Sequence, residues 1–136
     1  MQSPMPPMRF MSGGCDRAVK LWTYNDTSKK FIGETIFTHD DWVRDVAFAN
    51  NIGLPYEMAA SCSEDKSVTI LKKIDSKWVE KKIVKGTVPV WRVSWSLAGN
   101  LLAVAGADNV VHVYEEKAND KWEMISEMSQ NDQSKS

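Results

Sequence analysis

The chain contains few residues that bind metals or form disulfides, with two cysteines and two histidines in 136 residues. Cys15 and Cys62 do not form a Cys-x-x-Cys pair, and the pattern favours buried thiols in a reducing compartment over a disulfide. His39 and His112 have no cysteine at ligand spacing. The sequence therefore predicts neither a metal site nor a cofactor.

The chain also lacks an excess of charge of one sign and long apolar runs. Its net charge is −1 and its lysines alternate with acidic residues, which argues against direct nucleic-acid binding. No apolar run approaches the roughly 20 residues needed to cross a bilayer. Residues 1–9 lack the continuous apolar core of a signal peptide and are predicted to be flexible, and the polar residues 129–136 are predicted to be disordered. We expect a cytosolic or nuclear protein.

A repeated pattern is the most informative feature that the sequence does have. Three segments run from small apolar residues through an acidic turn into alternating apolar residues: FMSGGCDRAVKLW (10–22), MAASCSEDKSVTIL (58–71) and LLAVAGADNVVHVY (101–114). Their aspartates, Asp16, Asp65 and Asp108, are 49 and 43 residues apart. A period in the forties that is built from short strands is typical of a β-propeller.

The strands of this repeat can be placed from β-branched and aromatic residues bounded by Gly, Asn, Asp and Pro. They are predicted at 10–12, 18–22, 31–36, 43–48, 58–61, 67–72, 78–84, 90–95, 101–105, 110–114 and 122–128, with no helix. They divide the chain into the end of one blade (10–38), a complete blade (39–86) and a last blade (87–128). Because known propellers have at least four blades, the sequence predicts an all-β, partial propeller of about two and a half blades, the C-terminal part of a larger one or a truncated product.

The strongest polar constellation consists of His39, Ser61 and Asp65, residue types that also form catalytic triads. Ser61 lies in a predicted inner strand and not in a Gly-x-Ser-x-Gly elbow, which argues against a nucleophile. The repeat favours a hydrogen-bond chain in which the Asp65 carboxylate accepts from His39 and the imidazole reaches Ser61, each bond contributing about 1 kcal/mol. We predict a structural network and no catalytic residue.

The other two units vary this network. Ser12 and Asp16 repeat its spacing in the first unit, with Trp22 as the final member. In the last unit Val104 replaces the serine, so Asp108 is expected to serve only the turn. That blade is therefore expected to depend more on hydrophobic packing, by Trp91, Trp95 and Leu102.

Tryptophans and a glycine pair are the remaining candidates. Five of the six tryptophans lie in or beside predicted strands, where core packing is favoured over ligand stacking. Trp42, beside two aspartates in a loop, is the surface candidate. Gly13–Gly14 lacks the Lys-Ser/Thr of a phosphate loop and is expected to permit close strand approach or a turn.

Five segments together resemble a known family: GGCDRAVKLW, HDDWVRDVAF, NIGLP, ASCSED and VWRVSWSLAGNLLAVAGADN. They are similar to the small WD-repeat propeller subunit of the COPII outer coat, which also serves in the Y-shaped scaffold of the nuclear pore. The resemblance covers residues 10–128. WVRDVAF and VWRVSW are also similar to the sister propeller of the nuclear-pore scaffold. Leu71 and Tyr114 depart from the family, which carries Trp at both positions.

This resemblance implies a non-catalytic scaffold whose six-bladed ring is open and receives a further blade from a partner. The implied partners are the large WD-repeat and solenoid subunit of the outer coat and a solenoid nucleoporin. The implied locations are cytoplasmic: endoplasmic reticulum exit sites, the cytosolic side of COPII vesicles with membrane association through the coat only, and the nuclear pore.

The last blade is the predicted partner-binding region, with these candidate residues: Val90, Trp91, Trp95, Val111, Val113 and Trp122. The alternative functions are a sister nuclear-pore or nutrient-signalling WD propeller and a general WD-repeat peptide-binding adaptor.

Overall fold

The computed structural model describes residues 8–49, 56–96, 100–118 and 121–129. Eleven β-strands run through these ranges: β1 Arg9–Gly13, β2 Ala18–Asn25, β3 Lys30–Thr38, β4 Val43–Phe48, β5 Glu57–Ser63, β6 Ser67–Ile74, β7 Lys77–Lys85, β8 Val90–Trp95, β9 Leu101–Gly106, β10 Val110–Lys117 and β11 Lys121–Ser129. Every predicted strand is present, and most extend further than predicted. Within the same ranges, no helix has the length and apolar composition needed to cross a membrane.

The strands form three sheets in which sequence neighbours pair antiparallel. Sheet 1 contains β1–β3, sheet 2 contains β4–β7, and sheet 3 contains β8–β11. This arrangement confirms the all-β fold and part of a β-propeller, in which each sheet is a blade.

The predicted flexible ends reach into this fold. Arg9, assigned to the head, begins β1, pairs with Thr23 and forms a salt bridge with Glu57 of sheet 2. Ser129, assigned to the tail, ends β11 opposite Val110. Pairing with a neighbouring strand orders both residues. Residues 1–7 and 130–136 lie outside the described residues.

The same acidic turn recurs once in each sheet. Each repeated aspartate accepts a hydrogen bond from the backbone N–H two residues later: Asp16 from Ala18 at 3.1 Å, Asp65 from Ser67 at 3.0 Å and Asp108 from Val110 at 3.1 Å. The residue after each aspartate has a positive φ: Arg17 at 69°, Lys66 at 71° and Asn109 at 61°. The repeat seen in the sequence is therefore a repeat of backbone geometry.

The face of a sheet that packs on the next sheet along the chain is called its forward face, and the face that packs on the preceding sheet is called its rear face. In sheet 1 the rear face is the one turned away from sheet 2, and in sheet 3 the forward face is the one turned away from sheet 2. Forward faces carry Met11, Val19 and Leu21 in sheet 1, Ala60, Cys62 and Ile70 in sheet 2, and Ala103, Val111 and Val113 in sheet 3. Rear faces carry Phe10, Trp22 and Phe31 in sheet 1, Ala59, Leu71 and Trp78 in sheet 2, and Leu102, Tyr114 and Trp122 in sheet 3. The two hydrophobic clusters lie where the forward face of one sheet meets the rear face of the next.

Polar contacts tie sheets 2 and 3 together beyond this packing. The Asp45 carboxylate accepts the Val93 N–H at 3.1 Å, and Trp95 Nε1 donates to the Ala47 carbonyl at 3.0 Å. A hydrogen bond to a charged group contributes about 1.5–3 kcal/mol, so the carboxylate is the stronger link.

Candidate functional site

The His39 side chain is the centre of the most buried polar network in the described residues. His39 lies between β3 and β4, and its backbone N–H donates to the Arg17 carbonyl at 2.8 Å. Its Nδ1 is 3.0 Å from Asp65 Oδ2 and its Nε2 is 2.7 Å from Ser61 Oγ. The imidazole thereby connects the segment between sheets 1 and 2 to two strands of sheet 2.

Hydrogen bonds hold the Asp65 carboxylate in its charged form. Burial raises its pKa, but donation by Ser67, the Asp40 N–H and His39 outweighs that effect and lowers the pKa to about 2. Burial lowers the pKa of His39, although Asp65 opposes this shift. A neutral imidazole beside a carboxylate places its proton on Nδ1, so Nε2 accepts the hydrogen bond from the Ser61 hydroxyl.

The order Ser61–His39–Asp65 is that of a catalytic triad, but the surroundings are not those of an active site. The Ser61 side chain is fully buried on the central strand β5 of sheet 2, and His39 is 3 % exposed. A substrate carbonyl has no route to Ser61 Oγ. The arrangement can fix the loop before β4 and the turn after β5, which supports the structural interpretation.

These shifts predict that stability is lost in two steps as the pH falls. The pKa of folded His39 lies below the unfolded value of about 6.5, so its contribution is present above pH 6.5 and is lost as the pH falls toward the folded pKa. The contribution of Asp65 is present above about pH 4 and is lost as the pH falls through about 2. Urea unfolding at intervals between pH 8 and pH 2 should show both steps, and His39→Gln should remove the first.

The first sheet contains only part of the predicted network. Trp22 Nε1 donates to Ser12 Oγ at 2.8 Å, and the indole lies over Gly33, where a Cβ would be 2.7 Å from the ring. Asp16 contacts the Ala18 N–H and Lys20, and the structure gives it no bond to Ser12. The N–H of Ala18 lowers the pKa of Asp16, which serves the turn.

In the last sheet, Asp108 accepts the N–H of Val110, and Val104 is buried in the core between sheets 2 and 3. This arrangement agrees with the expectation that Asp108 serves the turn.

Sequence reasoning missed two serines of the sheet 2 network. Ser67 Oγ donates to Asp65 Oδ1 and lies 3.3 Å from His39 Nδ1. Ser63 Oγ donates to the Trp42 carbonyl at 2.7 Å and accepts the Asp65 N–H at 3.0 Å. Serines two residues before and after the repeated aspartate were the available signal, because short hydroxyl side chains bond to nearby turn backbone.

The predicted partner-binding residues separate into two groups. Val90 is 5 % exposed, and Trp95 and Trp122 pack against each other at 5.7 Å within the core between sheets 2 and 3. These three side chains pack inside the chain, and their contact with a partner stays a prediction. Val111 and Val113 lie on the forward face of sheet 3, which no described residue covers.

Two exposure predictions were wrong. Trp91, expected to pack in the last blade, is 47 % exposed because it lies at a β-bulge between Val90 and Arg92, where the pairing register shifts. Cys15, expected to be buried, is exposed in the turn before Asp16. Cys62 is buried as predicted, and burial raises the pKa of its thiol to about 12.

A second β-bulge in sheet 2 exposes side chains at the matching place. Its register shift lies between Val43 and Asp45, so Arg44 is left out of the ladder, as Trp91 is in sheet 3. The guanidinium of Arg44 lies 5.5 Å from the Trp42 ring centroid and pairs with Glu64. Trp42, the predicted surface tryptophan, is 50 % exposed. We call Trp42, Arg44 and Trp91 the bulge surface.

Comparison with known proteins identifies the repeat and its relatives. Residues 78–115 match the family described as WD domain, G-beta repeat. The chain is 42 % identical over 129 residues to the Protein SEC13 homolog of Dictyostelium discoideum, covering 94 % of this chain and 42 % of that protein. The chain is therefore similar to SEC13 proteins over most of its length. It is 41 % identical over 131 residues to the human Protein SEC13 homolog, and this alignment covers 94 % of the chain and 41 % of the human protein.

A third SEC13 relative carries a name that states a function. Protein transport protein SEC13-1 of Candida glabrata is 39 % identical over 134 residues, covering 95 % of this chain and 45 % of that protein. The chain therefore spans less than half the length of the SEC13 proteins described here. The similarity confirms the resemblance that the repeated segments indicated.

Proposed function

We propose that the chain acts in protein transport as a non-catalytic scaffold segment of the COPII vesicle coat, between the endoplasmic reticulum and the Golgi, and of the nuclear-pore Y-complex. It binds a solenoid partner that donates a blade to the open propeller. The similarity to SEC13 homologues over 94 % of the chain is the observation that carries this proposal. The large WD-repeat and solenoid outer-coat subunit and a solenoid nucleoporin are the proposed partners.

The forward face of sheet 3 is the surface that we assign to this partner. Ala103, Val111 and Val113 form an apolar strip there, in the positions that bury Ala60, Val68 and Ile70 between sheets 2 and 3. A partner sheet packed on this strip would bury it in the same way, and apolar burial contributes about 25 cal/mol per Å².

Val113→Asp tests this assignment. A carboxylate in the middle of the strip should reduce capture of the chain by the large outer-coat subunit at least tenfold, because an unpaired charge would be buried. Quantitative co-precipitation of purified proteins measures the change. Val79→Asp, at an exposed position on β7, is the matched control and should not affect capture. Failure of the unsubstituted chain to bind, or undiminished binding by Val113→Asp, would contradict the proposal.

The bulge surface supports a second candidate, a peptide-binding adaptor. It combines two exposed tryptophans with an arginine, and tryptophan and arginine are the residues most enriched at binding hot spots. In this function, Trp42→Ala combined with Trp91→Ala should abolish partner capture while Val113→Asp leaves it unchanged. The scaffold function predicts the opposite pattern.

A further inference from the structure

A cavity lies between sheets 2 and 3, beside the acidic turn of sheet 3. Its volume is about 130 Å³, and its walls include Val84 and Gly86 at the end of sheet 2 and Val104, Asp108 and His112 of sheet 3. Both sheets have four strands, and the cavity lies on the sides where they face each other. An engineered cavity of about 150 Å³ in another protein binds benzene, so a five-membered ring has room here.

The same place between sheets 1 and 2 is filled by the His39 side chain. The His39 N–H donates to the Arg17 carbonyl at 2.8 Å, and the Gly86 N–H donates to the Lys66 carbonyl at 2.8 Å. Arg17 and Lys66 each follow the repeated aspartate of their sheet. Gly86 therefore occupies the backbone position of His39, and it places no side chain in the space that the imidazole fills one sheet earlier.

Asp108 contributes an unused hydrogen-bond acceptor to the cavity wall. Its Oδ1 accepts the Val110 N–H at 3.1 Å, as Asp65 Oδ1 accepts the N–H of Ser67. Asp65 uses its other oxygen, Oδ2, to accept from His39. None of the described residues donates to Asp108 Oδ2. The carboxylate oxygen that binds the imidazole in sheet 2 is therefore available in sheet 3.

The other walls suit the faces of a ring and its second nitrogen. Val84, Val90 and Val104 supply apolar surface. His112, which pairs with Val104 across the strands, lines the same cavity, and its Nε2 lies 3.9 Å from Glu127 Oε1. A histidine ring nitrogen can donate or accept a hydrogen bond, so His112 can pair with either form of a second ring nitrogen.

We propose that this cavity binds an imidazole ring, supplied by a free small molecule or by a histidine side chain of a partner peptide. The N–H of the ring donates to Asp108 Oδ2, its other nitrogen pairs with His112, and the valines cover its faces. A hydrogen bond to a charged carboxylate is roughly twice as strong as one between neutral groups, so Asp108 is the main polar contact. This inference does not depend on the proposed function.

Titration of the purified chain with imidazole is the first test. Gly86 and Gly106 both line the cavity, so their backbone amide signals in proton–nitrogen NMR spectra should shift together and reach saturation at millimolar imidazole, the range expected for so small a ligand. Thiazole has a ring of the same size without the N–H, and it should bind at least tenfold more weakly. Shifts that do not saturate, or equal binding of thiazole, would overturn the proposal.

Substitutions at two positions form the second test. Asp108→Asn keeps an oxygen for the turn but removes the charge, and it should weaken imidazole binding at least tenfold. Gly86→His should abolish binding, because the chain then fills the cavity with its own imidazole. Gly86→Ala adds only a Cβ, whose nearest atoms would be Val84 Cγ1 at 3.8 Å and the Lys66 carbonyl oxygen at 3.9 Å, and it should weaken binding far less.

The NMR spectrum of each variant establishes that it is folded, and His112→Ala, which removes the second polar contact, replaces Asp108→Asn if the latter unfolds. Equal effects of Gly86→His and Gly86→Ala would overturn the proposal. So would undiminished binding by a folded variant that lacks the polar contact.

Blocked tripeptides distinguish the two sources of the ring. Tighter binding of Gly-His-Gly than of imidazole, with no binding of Gly-Ala-Gly, would assign the site to a histidine of a partner chain. Binding of imidazole without binding of Gly-His-Gly would assign it to a free compound, and failure of both to bind would overturn the proposal. All of these measurements use the chain alone, so their outcome is separate from capture by the outer-coat subunit.

Discussion

Asp65→Ala is expected to lower the free energy of unfolding by about 3–5 kcal/mol, because it removes several hydrogen bonds to a charged carboxylate and leaves buried donors without an acceptor. The substitution leaves His39 Nδ1–H, the Ser67 hydroxyl and the Asp40 N–H without their acceptor. His39 is almost fully buried, so water cannot replace the lost carboxylate on the imidazole. Urea unfolding followed by tryptophan fluorescence measures the loss.

Asp108→Ala is the matched control for this prediction. Asp108 occupies the same position of the same turn, but its carboxylate accepts an exposed hydrogen bond from Val110 and contacts no histidine. The expected loss is about 0.5–1.5 kcal/mol, less than for a buried bond to a charged group, because water can replace this exposed bond. Equal losses for Asp65→Ala and Asp108→Ala would show that the aspartate acts through the turn alone, and would contradict the network interpretation.

The fold could be predicted from the sequence because the repeat determines it at two levels. The spacing of Asp16, Asp65 and Asp108 predicted three equivalent turns, and the structure gives each the same carboxylate bond and the same positive φ at the next residue. Runs of β-branched and aromatic residues, bounded by Gly, Asn, Asp and Pro, then placed the strands around each turn. Both signals are local, and local signals can be read from one sequence.

The His39 network was accessible for a related reason. Ser61 and Asp65 are four residues apart in one repeat, and His39 begins the same repeat. Ser67 was missed because a hydroxyl two residues after the aspartate is also what an ordinary polar strand residue would provide. The sequence does not distinguish a network serine from an ordinary polar strand residue. The structure does, because Ser67 Oγ contacts both Asp65 and His39.

Contacts between sheets could not be predicted in this way. Lys72 and Glu116 bind across sheets 2 and 3, and the Tyr56 hydroxyl donates to the same glutamate at 3.3 Å. These residues are 44 and 60 positions from Glu116, with no motif to connect them. The exposure of Trp91 was missed for a similar reason, since a β-bulge depends on the register between strands and not on strand propensity.

Gly13 and Gly14 have different roles in the structure, one in close packing and the other in a turn. The sequence left open whether the Gly13–Gly14 pair permits a close approach or a turn. The structure assigns the roles separately: Gly13 faces Val43 and Val46 of sheet 2, whereas Gly14 provides the carbonyl that accepts the Arg17 and Val43 N–H groups. The close approach of sheets 1 and 2 therefore depends on the absence of a Cβ at residue 13.

Gly13→Ala is expected to destabilise the protein by about 1–3 kcal/mol, the usual cost of overpacking a core. The new Cβ would lie 2.3 Å from Val43 Cγ1 and 3.3 Å from Val46 Cγ1, so the two sheets must shift apart. In Gly14→Ala the nearest atom would be Asp16 Oδ1 at 3.9 Å, an ordinary contact, and the change should stay within about 0.5 kcal/mol. Urea unfolding of both variants gives the difference directly. Equal stability of Gly13→Ala and Gly14→Ala would contradict this prediction, because it would mean that the added Cβ does not clash with Val43.

A double variant tests whether the clash is the cause. Val43→Ala removes the methyl group that the new Cβ would meet, so Gly13→Ala should cost less stability in the Val43→Ala background than in the unsubstituted chain.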